Sequence, residues 1–239
     1  MSTRTHHPAI DERTTKMVVG AIAITLGPLV CLASQLAQPL TSISQSYFAG
    51  DVARNIFVGF LYAIGAFLLS YNGRAQPSLW ATNMYMVAAK LAALAAVGVA
   101  MFPCACQPTG ANLCLGWAEA HGSLHYACAS VMFVVLAFFC WEFYQHAAQS
   151  PGAQAKLRAR IYLFCLGAIV AAIAILGLNA ALGLCLTQLC PRLVFWCELM
   201  GLEAFGVSWM VASHIWSCVA SPSELHRPFA LFQPNHPSA

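Results

Sequence analysis

Charge is what this sequence has least of. Asp, Glu, Lys and Arg make up 8% of its 239 residues, where a soluble domain carries about a quarter. With a mean hydropathy of +0.69, the chain cannot wrap a water-facing surface around a core. Catalytic signatures are missing too: there is no GxSxG, phosphate-binding loop, dinucleotide fingerprint or HExxH. No internal repeat and no linker long enough to divide domains can be found.

What the sequence does hold is apolar runs. Six span Met17–Leu36, Val52–Tyr71, Ala81–Phe102, Ser123–Phe143, Ile161–Leu184 and Leu193–Ser217. A bilayer core about 30 Å thick needs roughly 20 apolar residues per helix. A chain of 239 residues has no material left to bury six such cylinders in water. The reading is an all-α, polytopic membrane bundle of six transmembrane helices.

The few charges are distributed unevenly. Arg4, Arg13 and Lys16 precede the first run, Arg74 follows the second, Lys156, Arg158 and Arg160 follow the fourth, and Arg227 follows the sixth. The alternate connections carry only Arg54 and Arg192. Basic residues stay on the cytoplasmic side, so both termini are expected in the cytoplasm, with the first run a retained helix. Residues 1–16 are expected to be a mobile N-terminus, 17–220 the bundle, and 221–239 a proline-containing tail. "NGRAQPSLW" reads as a short cytoplasmic turn, and "QSPGAQAKLRAR" as the longer cytoplasmic loop.

Of eleven cysteines, Cys104, Cys106, Cys114, Cys185 and Cys190 fall in outer connections, where disulfides persist. These five are the disulfide candidates, and spacing alone does not give their pairing. The remainder (Cys31, Cys128, Cys140, Cys165, Cys197 and Cys218) read as small buried hydrophobes within spans.

Ionisable groups inside a membrane are costly and mark function. Depth along each run, at about 1.5 Å per residue, sorts them by level. Near the outer surface lie Ser42, Ser44, Asp51 and Arg54 at the entry to the second run, His121 and His125 opening the fourth, and Glu198 in the sixth. His121 and His125 share a helix face, a spacing that suits two metal ligands. At mid-depth, Lys90 and Glu203 are expected to pair, since either charge alone would be expensive. Glu142 and His214 sit at the inner level. Glu198 and Glu203, five residues apart, face different neighbours, which argues against a paired-carboxylate acid–base site.

The segments "SISQSYFAGDVARNIFVGFLYAIGAFLLSYNG", "HYACASVMF", "RIYLFCLG" and "FWCELMGLEAFGVSW" resemble, in that order, a family of uncharacterised bacterial six-span membrane proteins. More distantly, the layout is similar to the eukaryotic Frag1/DRAM/Sfk1 membrane proteins. The matching positions are Ile43 and Ser44 after the first span, His125 with Ala127 opening the fourth, and Glu198 in the sixth. The bacterial family tends to end its sixth span with Lys-Gly, where this chain has "ASHIW". The resemblance implies a six-helix fold in a cell membrane, the bacterial inner membrane, with a lipid-handling or membrane-regulatory role.

Three functions follow as expectations. In the first, Ser42, Ser44, Asp51, Arg54, His125 and Glu198 line an outer-leaflet pocket for a membrane lipid, Arg54 meeting its headgroup. In the second, His121, His125 and Glu198 hold zinc in a lipid hydrolase, with Asp51 or Ser44 near the activated water. In the third, Lys90 and Glu203 relay protons in a small transporter. Nothing in the sequence points to nucleic acid, and protein partners are not named by it.

Overall fold

The computed structural model describes residues 11–34, 39–71, 79–104, 116–226 and 228, the side chains of 79–82 and 116–121 excepted. Among these residues the chain is all-α, 81% helical with no strand. The helices are α1 (Glu12–Ser34), α2 (Asp51–Ser70), α3 (Leu79–Met101), α4 (Gly116–Gln149), α5 (Ala153–Leu182), the single turn α6 (Leu186–Leu189) and α7 (Leu193–Ala212). A 3₁₀ turn, Ser44–Phe48, lies between α1 and α2. All but α6 are long and apolar enough to cross a membrane, which makes this a multi-pass membrane protein by class.

The six long helices form a closed ring in chain order. Each packs on the next, α5 packs on α7, and α1 returns to α7 to complete the circle. A six-membered ring could leave a hole, but α4 also reaches α7 across it. The closure between α1 and α7 depends on two glycines. A Cβ at Gly20 would stand 2.9 Å from the Gly206 carbonyl oxygen, and one at Gly206 would stand 2.9 Å from that of Gly20. Backbones meet there, so neither position has room for a side chain. On α3 the buried face is Ala88, Ala89, Ala92, Ala93, Ala95, Ala96, Val99 and Ala100. Small residues let helices approach closely in lipid, where van der Waals contact replaces the hydrophobic drive.

Three boundaries differ from those expected. "QSPGAQAKLRAR" is not a long loop: α4 runs to Gln149 and α5 starts at Ala153. Ala, Gln, Lys, Leu and Arg are good helix formers, so only the Pro151–Gly152 pair interrupts, with Gly152 at φ 100°. At the other extreme, α7 stops at Ala212, and His214 turns the chain at φ 59°. Cys218, expected within a span, is therefore exposed beyond the helix. At its start, α1 begins at Glu12 rather than Met17.

Core packing concentrates in an aromatic block. Trp209, completely buried, has its ring centre 5.4 Å from Phe139, 5.1 Å from Phe205, 5.5 Å from Tyr71 and 6.0 Å from Phe143. Rings from α4, α7 and the residue after α2 thus meet on one indole, and two polar regions lie above and below it.

Candidate functional site

The end of the bundle away from the chain termini brings together three of the expected site residues. After α1, the polar run "TSISQSYF" ties its side chains to its own backbone, as Ser and Thr do outside helices. Ser42 Oγ accepts the Gln45 N–H at 3.1 Å, and the Ser46 hydroxyl donates to the Ile43 carbonyl at 2.6 Å. The turn so formed aims Ile43 and Ser44 at α7. Glu198 Oε2 accepts the Ile43 N–H at 2.5 Å, and Ser44 Oγ lies 3.1 Å from Glu198 Oε1. On its other side, Ser44 Oγ lies 3.1 Å from His125 Nε2, and His125 Nδ1 lies 2.7 Å from the Phe102 carbonyl.

Donor accounting fixes what this chain contains. A carbonyl only accepts, so His125 Nδ1 carries a proton. The Ser44 hydroxyl has one proton and two neighbours. If it donates to Glu198, then Nε2 must donate to Ser44, and the histidine is a cation facing a carboxylate. If it donates to Nε2, then Glu198 must carry the proton and donate to Ser44. Either way all three bonds form only when one further proton is shared between Glu198 and His125. His125 is 1% exposed, so an unmade bond there would be expensive.

Asp51 and Arg54 do not join this cluster. Arg54 donates to Asp51 at 2.5 Å along its own helix, and both side chains are exposed. Arg54 instead lines an open groove of about 370 Å³ with Tyr47, Asn55, Tyr62 and Met101. The expected six-residue pocket is thus split into a buried chain and an exposed pair. Lys90 and Glu203 do not pair either. The Lys90 ammonium donates to the carbonyls of Leu69 and Tyr71, capping the end of α2, and α3 is not packed on α7.

Cys104, Cys185 and Cys190 are free thiols, the first buried and the others exposed. Burial pushes the Cys104 thiol up to about 12, so it stays protonated. Cys106, Cys114 and the His121 side chain lie outside the described residues. Among those described, no three His, Cys, Asp or Glu side chains are grouped to hold a metal ion.

At the terminal end the structure holds a site that sequence reasoning missed. A half-open cavity of about 320 Å³ is lined by residues of α1, α3, α4, α5 and α7, by Tyr71 after α2, by Ser150 after α4 and by the segment after α7. Among the described residues three cations line it, Arg13, Lys16 and Arg158, against two carboxylates, Glu12 and Glu224. Lys16 donates to Glu12 at 2.5 Å, and its ammonium lies 5.8 Å from the Tyr71 ring centre and 5.2 Å from that of Phe143. Arg158, 5% exposed, donates to the Val219 carbonyl at 2.7 Å and to Glu224 at 3.2 Å. Arg13 donates to the Glu224 main-chain carbonyl at 2.6 Å and, among the described residues, forms no ion pair. On the α3–α4 side, Tyr85 bonds both Glu142 and His146.

The segment 213–226 closes this cavity as a strap. Its ties are the Arg13 and Arg158 bonds, Thr14 Oγ1 to His226 Nε2 at 3.1 Å, and the His226 N–H to the His214 carbonyl at 3.0 Å. His214 lines the cavity, and its buried Nδ1 has no protein partner among the described residues. Burial, reinforced by Arg158 and Arg13, pulls its imidazole down to about 4. Burial works against the charge of Glu224, but the Ser221 N–H and the Arg158 guanidinium prevail and bring its carboxyl down to about 2. At neutral pH the strap therefore carries an ionised Glu224 beside a neutral His214.

No family model matches the chain, and neither a characterised protein nor a solved structure matches it. Fold and composition define the class, a six-helix multi-pass membrane protein, and the two polar ends define where chemistry can reside.

Proposed function

We propose that this protein is a lipid-associated membrane protein that binds a phosphate-bearing anion in the vestibule at its terminal end, in a binding or membrane-regulatory role. One observation carries the reading: among the described residues, three basic side chains and two carboxylates converge on one half-open cavity. Guanidinium groups match phosphate oxygens in pairs, and Arg13 has no carboxylate of its own among the described residues. A neutral His214 with an unpartnered Nδ1 supplies one further hydrogen-bonding atom in the wall. The basic residues at this end favour a cytoplasmic orientation. There the vestibule opens at the anionic leaflet, whose headgroups attract such clusters.

The chemistry is common to a lipid phosphate and a free phosphate compound, and the test separates them. Protein in phosphatidylcholine nanodiscs, with or without phosphatidic acid, is analysed by native mass spectrometry, and its melting is followed with inorganic phosphate. Phosphatidic acid should be retained by the wild type. It should be bound about tenfold more weakly by Arg13→Gln, the equivalent of one lost charge-assisted hydrogen bond. Equal retention by the variant would sink the reading. Stabilisation by inorganic phosphate, without lipid retention, would move the source from membrane to solution.

A further inference from the structure

We infer that Glu224 is a built-in stand-in for the ligand's phosphate, and that an incoming phosphate displaces it and frees the strap 213–226 from the bundle. The inference rests on the anion-binding reading above and assigns that site its regulation.

Two guanidinium groups converge on this one residue. Arg158 Nη1 and Nη2 lie 3.2 and 3.5 Å from the two carboxylate oxygens, and Arg13 Nη1 donates to the main-chain carbonyl at 2.6 Å. The Ser221 N–H at 3.3 Å and its hydroxyl at 3.1 Å complete the set around Oε2. Two guanidinium groups are the donors a phosphate would use, while the Ser221 amide and hydroxyl belong to the strap and leave with Glu224. The Arg158 side chain is 6% exposed while that of Glu224 is 39% exposed, so the carboxylate reaches a buried cation from the solvent side. A ligand arriving from that side meets Glu224 first.

Exchange is favoured on charge. A phosphate monoester carries about −1.5 to −2 at neutral pH with three acceptor oxygens, and can engage Arg13 and Arg158 together, which one carboxylate does not. The released Glu224 regains water. With Arg13 and Arg158 withdrawn, the polar ties left among the described residues between the strap beyond its root at Ser213–His214 and the bundle are the His226 contacts with Thr14 and Asp11, and the buried side chains of Val219 and Ala220 hold the middle of the strap. The turn at His214, a side-chain-bearing residue held at φ 59°, would relax at the same moment. Occupancy of the vestibule is thereby reported on the cytoplasmic face as a change in the C-terminal segment.

Hydrogen–deuterium exchange on the full protein in nanodiscs tests this. Phosphatidic acid in the bilayer should speed exchange of peptides covering 213–226 by about tenfold, leaving α1–α5 and α7 unchanged. Glu224→Gln should show the fast exchange without phosphatidic acid and should bind that lipid several-fold more tightly. Phosphatidic acid that binds while strap exchange stays the same or slows overturns the stand-in role and leaves the anion-binding reading intact. Should neither wild type nor Glu224→Gln bind phosphatidic acid or inorganic phosphate, both readings fall. The wild-type measurement decides the matter even where the variant does not fold.

Discussion

At the scale of single residues, Ser44 is the most informative side chain. Its hydroxyl bridges His125 and Glu198, which sit on α4 and α7, and so ties those helices to the turn after α1. Ser44→Ala should destabilise the protein by about 1–3 kcal/mol, because buried partners lose their bonds. Ser44→Thr, which keeps the hydroxyl, should recover most of that. Melting temperatures in detergent check both, and equal melting of the Ala variant and wild type would contradict the account. The convergence of Ser44, His125 and Glu198 was legible in the sequence because all three fall at one depth in the bilayer. Depth says nothing about azimuth, however. Asp51 and Arg54 share that level but lie on an exposed face, where a partner one turn away is nearer than any across the bundle.

Elements explain the other mismatches. Lys90 and Glu203 lie at matching depth, but their helices are not neighbours in the ring, an order that run lengths do not reveal. The terminal vestibule was illegible for a related reason. Arg158 fell in a stretch read as loop, and Glu224 in a tail whose polar composition carries no period. Only the helical start of α5 and the fold-back of the strap bring them together.

The strap also has a pH signature. His214, held near 4 against an ordinary 6.5, favours the folded state as a neutral ring. Stability is therefore full above pH 6.5 and falls as pH drops toward 4, because the released strap binds the extra proton. Glu224, held near 2 against 4.5, contributes stability above 4.5 that is lost as pH falls toward 2. Strap protection measured by hydrogen exchange should thus decline on acidification in two steps, the first below pH 6.5. His214→Asn should remove that first step, and a variant retaining it would reassign the titrating group.

For the whole molecule, the six-pass bundle was readable from composition and run length, since nothing else can be done with so much apolar surface. An even number of spans puts both termini on one side, and the basic residues favour the cytoplasm. Single-cysteine variants test the orientation. A membrane-impermeant maleimide applied to intact cells should label the exposed Cys185 or Cys190 and spare the exposed Cys218. Inverted vesicles should give the reverse, and the opposite pattern would turn the protein over.

The rings gathered on Trp209 have an electrical consequence. Between Glu198 and Trp209 lies about 16 Å of α7 at 1.5 Å per residue, flanked by Leu202, Phe205, Leu136 and Phe139, all buried. A transmembrane voltage drops mainly across such an insulating layer, since each polar end shares the potential of the solution beside it. An anion seated at the terminal end would cross almost none of the field. Its occupancy should therefore follow the composition of the adjoining leaflet and ignore whether the cell is energised.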